Sequence, residues 1–285
     1  MLILNTPTPY PAVFWTVVRF LASQGRPETK ETIITYLEPG EEANKLGPIH
    51  YSLNTLQGLG LAVASDAGKW HLTGGLENVT VDDLSAFQRV MRRTVLGVEG
   101  EVPDPPEDIR RGLVWLLTRD PFKESFNWAM LDTLHNGSAP DGQLVLANPT
   151  RWAPFAAWGT ALGLMAPAPH PADRYVPDCT LAVRQVLTAN LELNRPTESM
   201  TVLQLLRREL PVVMGGSLAV SQGYPAPPTK VAGPALSFAL MRGEHDGWLQ
   251  LGQDSDAATV INLHDPERSS PRSCSTITLL EGSDA

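Results

Sequence analysis

The sequence predicts a mainly α-helical protein with small β wings, built from tandem winged-helix (helix-turn-helix) modules. The main observation is a punctuation pattern that occurs three times: a Pro or Gly-Pro able to open a helix, a dozen or so residues with apolar spacing, then Gly and a large apolar residue. The copies run from Gly47-Pro48 to Gly60-Leu61, from Asn148-Pro149 to Gly163-Leu164 and from Gly233-Pro234 to Gly247-Trp248. Proline suits a first helical turn because the amide hydrogen it lacks has no partner there, and glycine suits the position past a helix end because it tolerates positive φ. Composition agrees: 25 Pro and 23 Gly against 19% charged residues favour many short elements over long coiled coils.

Residues 12–24 place Val13, Trp15, Val17, Val18, Phe20 and Leu21 mostly on one helical face, and Gly25 stops the run. A short second helix follows over 29–36, with Ile33, Ile34 and Leu37 as its stripe and Pro39-Gly40 as its end. Residues 48–57 form the third helix of the first module. Leu61 to Ala64 and Trp70 to Thr73 then flank the turn Ser65 to Gly68 as a two-stranded wing. Residues 81–95 read as a further helix, capped by Thr80 or Asp82, with Leu84, Phe87, Val90 and Met91 inward.

The stretch 97–106, rich in Pro, Gly and acid, is the best linker in the chain. Beyond it, 106–118 and 122–134 are two helices separated by Arg119-Asp-Pro121, the second ending at Asn136-Gly137. In the second copy Pro154 falls inside the expected helix, where proline costs about 3 kcal/mol unless it sits in the first turn. Residues 166–172 read as an irregular loop, 174–176 as a strand and 177–191 as a helix. The third copy takes 197–209 as its first helix, 234–244 as its third, and strands at 248–251 and 259–263 around the acidic turn Asp254-Ser-Asp256, with 275–280 as a further strand able to pair. Residues 211–232 are too rich in Gly and Pro for a regular second helix. The expected domains are 1–96, 97–192 and 193–285.

The formal net charge of −9 argues against whole-surface binding to nucleic acid, because such affinity comes from Lys and Arg releasing counterions. Local basic patches stay compatible with it. Cys179 and Cys274, the two cysteines, give neither a disulfide framework nor a zinc spacing, so both read as packing residues in a reducing, cytoplasmic protein. The start lacks the basic segment of a signal peptide, and no window reaches the ~20 apolar residues that cross a bilayer.

No phosphate-cradling loop, dinucleotide fingerprint or His-Glu-x-x-His helix occurs, so no catalytic residue, cofactor or metal is assigned and the protein reads as a binding protein, not an enzyme. Glu244-His245-Asp246 reads as a solvated helix end, since consecutive helical residues point in different directions. Asp254, Asp256 and His264-Asp265 are the one set that could serve metal-dependent nuclease chemistry, but no Lys follows the acids. His50, Tyr51 and Asn54 lie on the first candidate recognition helix and can hydrogen-bond bases or phosphates, with Lys45 just before them. A protein-contact or merely exposed face is the alternative reading of that helix. Arg89, Arg92 and Arg93 form the densest basic cluster, followed by Arg110-Arg111 and Arg207-Arg208; solvated faces are the alternative for each. Trp15, Trp115, Trp128, Trp152, Trp158 and Trp248 fall in apolar patterns expected of core anchors, while exposed ones would mark a docking surface.

In Leu4-Asn-Thr-Pro7, Asn148-Pro-Thr-Arg-Trp152 with Gly163-Leu164 and Val176-Pro-Asp178, and in Leu236-Ser-Phe-Ala-Leu240, Asp246-Gly-Trp248 and Ser255-Asp-Ala257, the chain resembles the DpdG family. That family is an accessory component of the bacterial system that places 7-deazaguanine derivatives in DNA and restricts DNA lacking them. The resemblance implies a cytoplasmic partner of larger nucleases, helicases or modification enzymes, favours an accessory role over an autonomous regulator, and carries over no active-site residue. The resulting expectation is a winged-helix subunit of a defence or restriction complex that contacts DNA, partner proteins or both. A stand-alone transcription regulator and a purely protein-binding scaffold are the rivals.

Overall fold

In a computed structural model of the chain, described for residues 2–5, 7, 9–40, 47–98, 104–135, 140–142, 146, 148–254, 256–257 and 259–281, the first helix opens on a proline. Pro11 sits in the first turn of α1 (Pro11–Gln24), and Gly25 ends it at φ 62°. One face of α1 buries Phe14, Val17, Val18 and Leu21. Glu28–Thr29 then forms a two-residue strand, β1, before the Thr29 hydroxyl accepts from the Thr32 N–H at 3.2 Å and starts α2 (Lys30–Leu37). Pro48 opens α3 (Pro48–Gly58), which packs on α1 and buries Ile49, Leu53 and Leu56. The hairpin β2 (Ala62–Ala64) and β3 (Lys69–Leu72) follows. The sheet order is β1-β3-β2, all antiparallel, with Thr29 opposite Lys69 and Ala64 opposite Trp70.

After a 3-10 turn at Leu76–Asn78 comes α4 (Leu84–Leu96). Its cap is neither Thr80 nor Asp82: Asp83 accepts from the Ala86 N–H at 2.7 Å, and the helix starts three residues later than the apolar spacing alone implies. Next is α5 (Glu107–Leu117), whose Asp108 carboxylate accepts the N–H groups of Ile3 at 3.2 Å and Leu4 at 2.8 Å. These bonds tie down the buried N-terminal segment. The expected helix over 122–134 is shortened to α6 (Trp128–His135), because Phe126 is held extended by exchanging two hydrogen bonds with Tyr175, at 2.7 and 2.8 Å. The Asn127 side chain accepts from the Met130 N–H at the helix start.

Pro154 is accommodated as its chemistry demands. A 3-10 turn at Pro149–Arg151 runs into α7 (Trp152–Ala161), placing Pro154 third in the helix, where its missing N–H costs no intrahelical bond. Trp158 of α7 meets Phe14 edge-on at 5.3 Å, and its indole N–H donates to the Pro9 carbonyl at 3.0 Å. Truncating a fully buried tryptophan of this kind costs roughly 3–5 kcal/mol. Residues 166–172 are not wholly irregular: β4 (Ala166–Pro167) pairs antiparallel with β5 (Tyr175–Val176).

The C-terminal elements are α8 (Thr180–Asn190), β6 (Pro196–Glu198), α9 (Ser199–Glu209), the short α10 (Ser217–Ser221), α11 (Pro234–His245), β7 (Leu249–Gly252), β8 (Ile261–Leu263), β9 (Arg272–Cys274) and β10 (Thr276–Leu279). Here the sequence expectation is one element out of phase. The helix that packs on α11 as α1 packs on α3 is α8, and the stretch read as a first helix is a strand followed by the second helix, α9. The strands at 248–251 and 259–263 do not pair with each other. β10 lies between β6 and β7 in the order β6-β10-β7, and β8 pairs with β9 as a separate hairpin nested between β7 and β10. The order α1-β1-α2-α3-β2-β3 is therefore repeated as α8-β6-α9-α11-β7-β10, with the last strand central in both sheets.

Packing divides the chain into two units, Met1–Ile109 with Asn148–Leu162 and Arg110–Ala147 with Gly163–Ala285. Each has its own apolar interior, the first around Phe14, Ile33, Leu53 and Trp158, the second around Trp115, Val183, Leu203, Leu236 and Ile277. Trp115, Trp158 and Trp248 are core residues, whereas Trp15, Trp128 and Trp152 are half-buried. Both cysteines are buried free thiols, and burial pushes the Cys274 thiol up to about 11. The helix end at Asn136-Gly137, residues 99–103 of the linker and the tail beyond 281 lie outside the described residues.

Candidate nucleic-acid interface

The polar face of α3 gathers three of the residues singled out in the sequence. His50 and Asn54 are one turn apart, with the imidazole Nε2 3.1 Å from the Asn54 side-chain amide. The His50 ring also meets the Tyr51 ring edge-on, with centroids 5.4 Å apart. On its other side, His50 Nδ1 is bonded to the Lys30 ammonium at the start of α2. An ammonium can only donate, so Nδ1 accepts from Lys30, and the group facing Nε2 is the Asn54 amide nitrogen. Burial, followed by the nearby Lys30 charge, lowers the His50 pKa from its ordinary 6.5.

The strand register adds a second cation. Lys69 stands opposite Thr29, one residue from Lys30, and is exposed on the hairpin. Neither Lys30 nor Lys69 was marked by the sequence, because their neighbourhood depends on β1 pairing with β3 across forty residues of chain. Lys45 lies outside the described residues.

The arginine cluster on α4 divides. Arg92 is only 2% exposed and donates to the Leu162 carbonyl at 3.1 Å, so its guanidinium is an interior hydrogen-bond donor and not part of a surface patch. Arg89 and Arg93 are half-exposed, and Arg93 lines a cavity of about 410 Å³ with Gly74, Gly75 and Val90. The lesser pairs also have structural work. Arg111 is bonded to Asp141 at 2.5 Å, and Arg207 donates to the carbonyls of Met214, Thr229 and Val231, pinning the Gly- and Pro-rich segment to α9.

The acids considered for metal chemistry are held apart. Asp254 exchanges hydrogen bonds with Ser275, Asp265 pairs with Arg268 at 3.2 Å, and His264 bonds Asp120 at 3.0 Å. Burial pushes the Asp120 carboxyl up, but the Phe122 N–H, Lys123 and His264 outweigh it and hold the group below its usual range. Among the described residues no group of three or more His, Cys, Asp or Glu side chains is arranged to hold a metal ion. Glu244 is not a solvated helix end: both its oxygens bond Arg272, and one also accepts the Leu251 N–H at 3.3 Å.

Fold and site thus define a mainly helical protein with small antiparallel sheets and a modest polar surface on its N-terminal helices. A family model described as DpdG-like matches residues 1–257, and the chain belongs to that family. Membership fits an accessory role in the Dpd system. No curated protein and no solved structure gives a significant match. No helix among the described residues is long and apolar enough to cross a membrane.

Proposed function

We propose that this protein is a non-catalytic, cytoplasmic winged-helix subunit of a prokaryotic anti-phage restriction complex, and that it contacts DNA through α3 and the β2–β3 hairpin. The order helix, strand, helix, helix, strand, strand, with the last strand central, is the connectivity expected of a winged helix, and it supports assigning that fold to the first and last segments. In the middle segment, α5, the Phe126 bridge, α6, α7, β4 and β5 follow in the same order along the chain. In chain order alone this fits three modules near 1–96, 97–192 and 193–285, although by packing α7 belongs to the first unit.

The observation that carries the reading is the open polar stripe on α3. His50, Asn54 and Gln57 lie along one side of the helix, half-exposed or exposed, while Ile49, Leu53 and Leu56 face inward. The helices in the third position of the other segments have no such stripe. α7 buries Pro154, Phe155, Ala156, Trp158 and Gly159, and the exposed polar groups of α11 are confined to its last turn. A third helix with amide and imidazole groups on its open face suits hydrogen bonding to base edges or phosphates.

Lys30 and Lys69 supply the cationic part. A contact with so few lysines predicts weak binding with a shallow salt dependence, since each neutralised phosphate adds about 0.9 to the slope of log K against log salt. The test is binding of labelled duplex and single-stranded DNA across a salt series, with Lys30→Gln and Lys69→Gln alongside. Each substitution is expected to weaken binding and lower the slope by about one.

Absence of binding at low salt would move the reading to a protein-docking subunit serving larger nuclease, helicase or modification partners. One feature favours that second reading. Tyr36 on α2 is 71% exposed and stacks against Phe20 at 5.7 Å, a surface aromatic pair of the kind that anchors protein interfaces.

A further inference from the structure

The second unit contains a cavity of about 540 Å³ at the start of α8 and the end of α11. Its volume falls in the range of small-molecule sites. Arg184, one turn into α8, lies over the Trp248 ring with its guanidinium carbon 5.8 Å from the ring centroid. The indole beneath it is buried, so the guanidinium rests on a rigid support. Arg184 makes no hydrogen bond among the described residues, leaving its donors available to an occupant.

The opposite wall is already arranged. Both Asp178 oxygens are engaged: one accepts the Thr180 N–H at 2.8 Å and the other accepts Arg242 Nη1 at 2.7 Å. Arg242 also approaches Asp246 through Nε at 3.5 Å, which leaves its second terminal nitrogen open. The Thr180 hydroxyl is buried without a hydrogen-bond partner, and Leu181, 43% exposed, contributes apolar surface. The four charged lining groups sum to zero, but their open valences do not match one another. Donors remain on both arginines, and acceptor capacity remains chiefly on Asp246, whose one ion-pair contact is the 3.5 Å approach of Arg242.

We propose that this cavity binds a small organic oxyanion, a phosphate ester or a carboxylate, that also carries a hydrogen-bond donor. The oxyanion sits against the forks of Arg184 and Arg242, because guanidinium groups match carboxylate and phosphate oxygens two at a time. The donor faces Asp246, whose charge disfavours a bare polyanion, and the organic body lies over Leu181.

The test is calorimetric titration of the full chain with adenosine monophosphate, with glutamate and with inorganic phosphate, repeated on Arg184→Gln and Asp246→Asn. Saturable binding of the nucleotide that weakens roughly tenfold in Arg184→Gln supports the proposal with a phosphate ester as ligand. The same pattern with glutamate supports it with a carboxylate. In Asp246→Asn, inorganic phosphate binding is expected to strengthen. Thermal melting checks that both variants fold; if Arg184→Gln does not, Arg184→Lys, which keeps the charge but loses the fork, is expected to weaken binding in its place. Lack of saturable binding by all three probes, or binding indifferent to every Arg184 substitution, overturns the proposal.

Discussion

Arg272 on β9 holds Glu244 on α11 through two parallel hydrogen bonds, Nη1 to Oε2 at 2.6 Å and Nη2 to Oε1 at 2.8 Å. The pair is about three-quarters buried on the arginine side, so solvent screens it less than an exposed pair. Arg272→Lys keeps the charge but cannot make the two-point contact, and is expected to cost roughly 1–2 kcal/mol. Chemical denaturation of the two proteins checks it, and an unchanged midpoint would show that the fork adds nothing beyond charge.

His50 predicts the sign of a pH effect. Its folded pKa is lowered from 6.5 by burial and by Lys30, so the folded state disfavours the protonated ring. Its contribution to stability is present above pH 6.5 and is lost as pH falls from there toward the lowered folded value. The His50→Gln variant should have a flatter stability profile across that window. Denaturation midpoints at several pH values between neutral and mildly acidic compare the two slopes.

Arg92 is expected to behave as a core residue. Arg92→Ala removes a buried charge-assisted bond to the Leu162 carbonyl and leaves that acceptor unsatisfied, at a cost of roughly 2–4 kcal/mol. Arg89→Ala should lie within about 0.5 kcal/mol of the parent, as surface substitutions do. A DNA-binding defect in a triple Arg89, Arg92 and Arg93 variant would therefore report unfolding before it reported a lost phosphate contact. Circular dichroism of the single variants separates the two.

Gly243 marks the tightest approach in α11. A methyl group there would lie 2.4 Å from a Trp248 ring carbon and 2.8 Å from Leu249, both buried. Gly243→Ala should destabilise the second unit by roughly 1–3 kcal/mol despite alanine's better helix propensity. Calorimetric thermal unfolding checks the effect, and a raised melting temperature would contradict it.

The first segment was the most legible part of the sequence because its signals are local. Pro11, Gly25, Pro48 and the turn at Ser65 to Gly68 each act within a few residues, and the elements begin and end where they stand. The last segment misled for the opposite reason. β6 is recognisable only through its pairing with β10, about eighty residues away, and without that partner Pro196 to Glu198 merges with the apolar spacing of α9. The same holds at Phe126, whose extended backbone depends on Tyr175. Of the site, the α3 stripe could be read from spacing. The burial of Arg92 could not, since its partner is a backbone carbonyl seventy positions away, and the nearness of Lys30 and Lys69 required the strand register.

The β8–β9 hairpin leaves the sheet that encloses it undisturbed: β7 and β10 hold four residue pairs in register from Gly252 opposite Thr276 to Leu249 opposite Leu279. The hairpin's own link, residues 266–271, is exposed throughout, and it lies between the Asp120 bond of His264 and the Glu244 clasp of Arg272. Those two contacts fix the chain on either side of the link. It is the place in the second unit where a fluorophore, an epitope or a crosslinker could be grafted to follow assembly with partners while α11 and its neighbouring cavity keep their native shape.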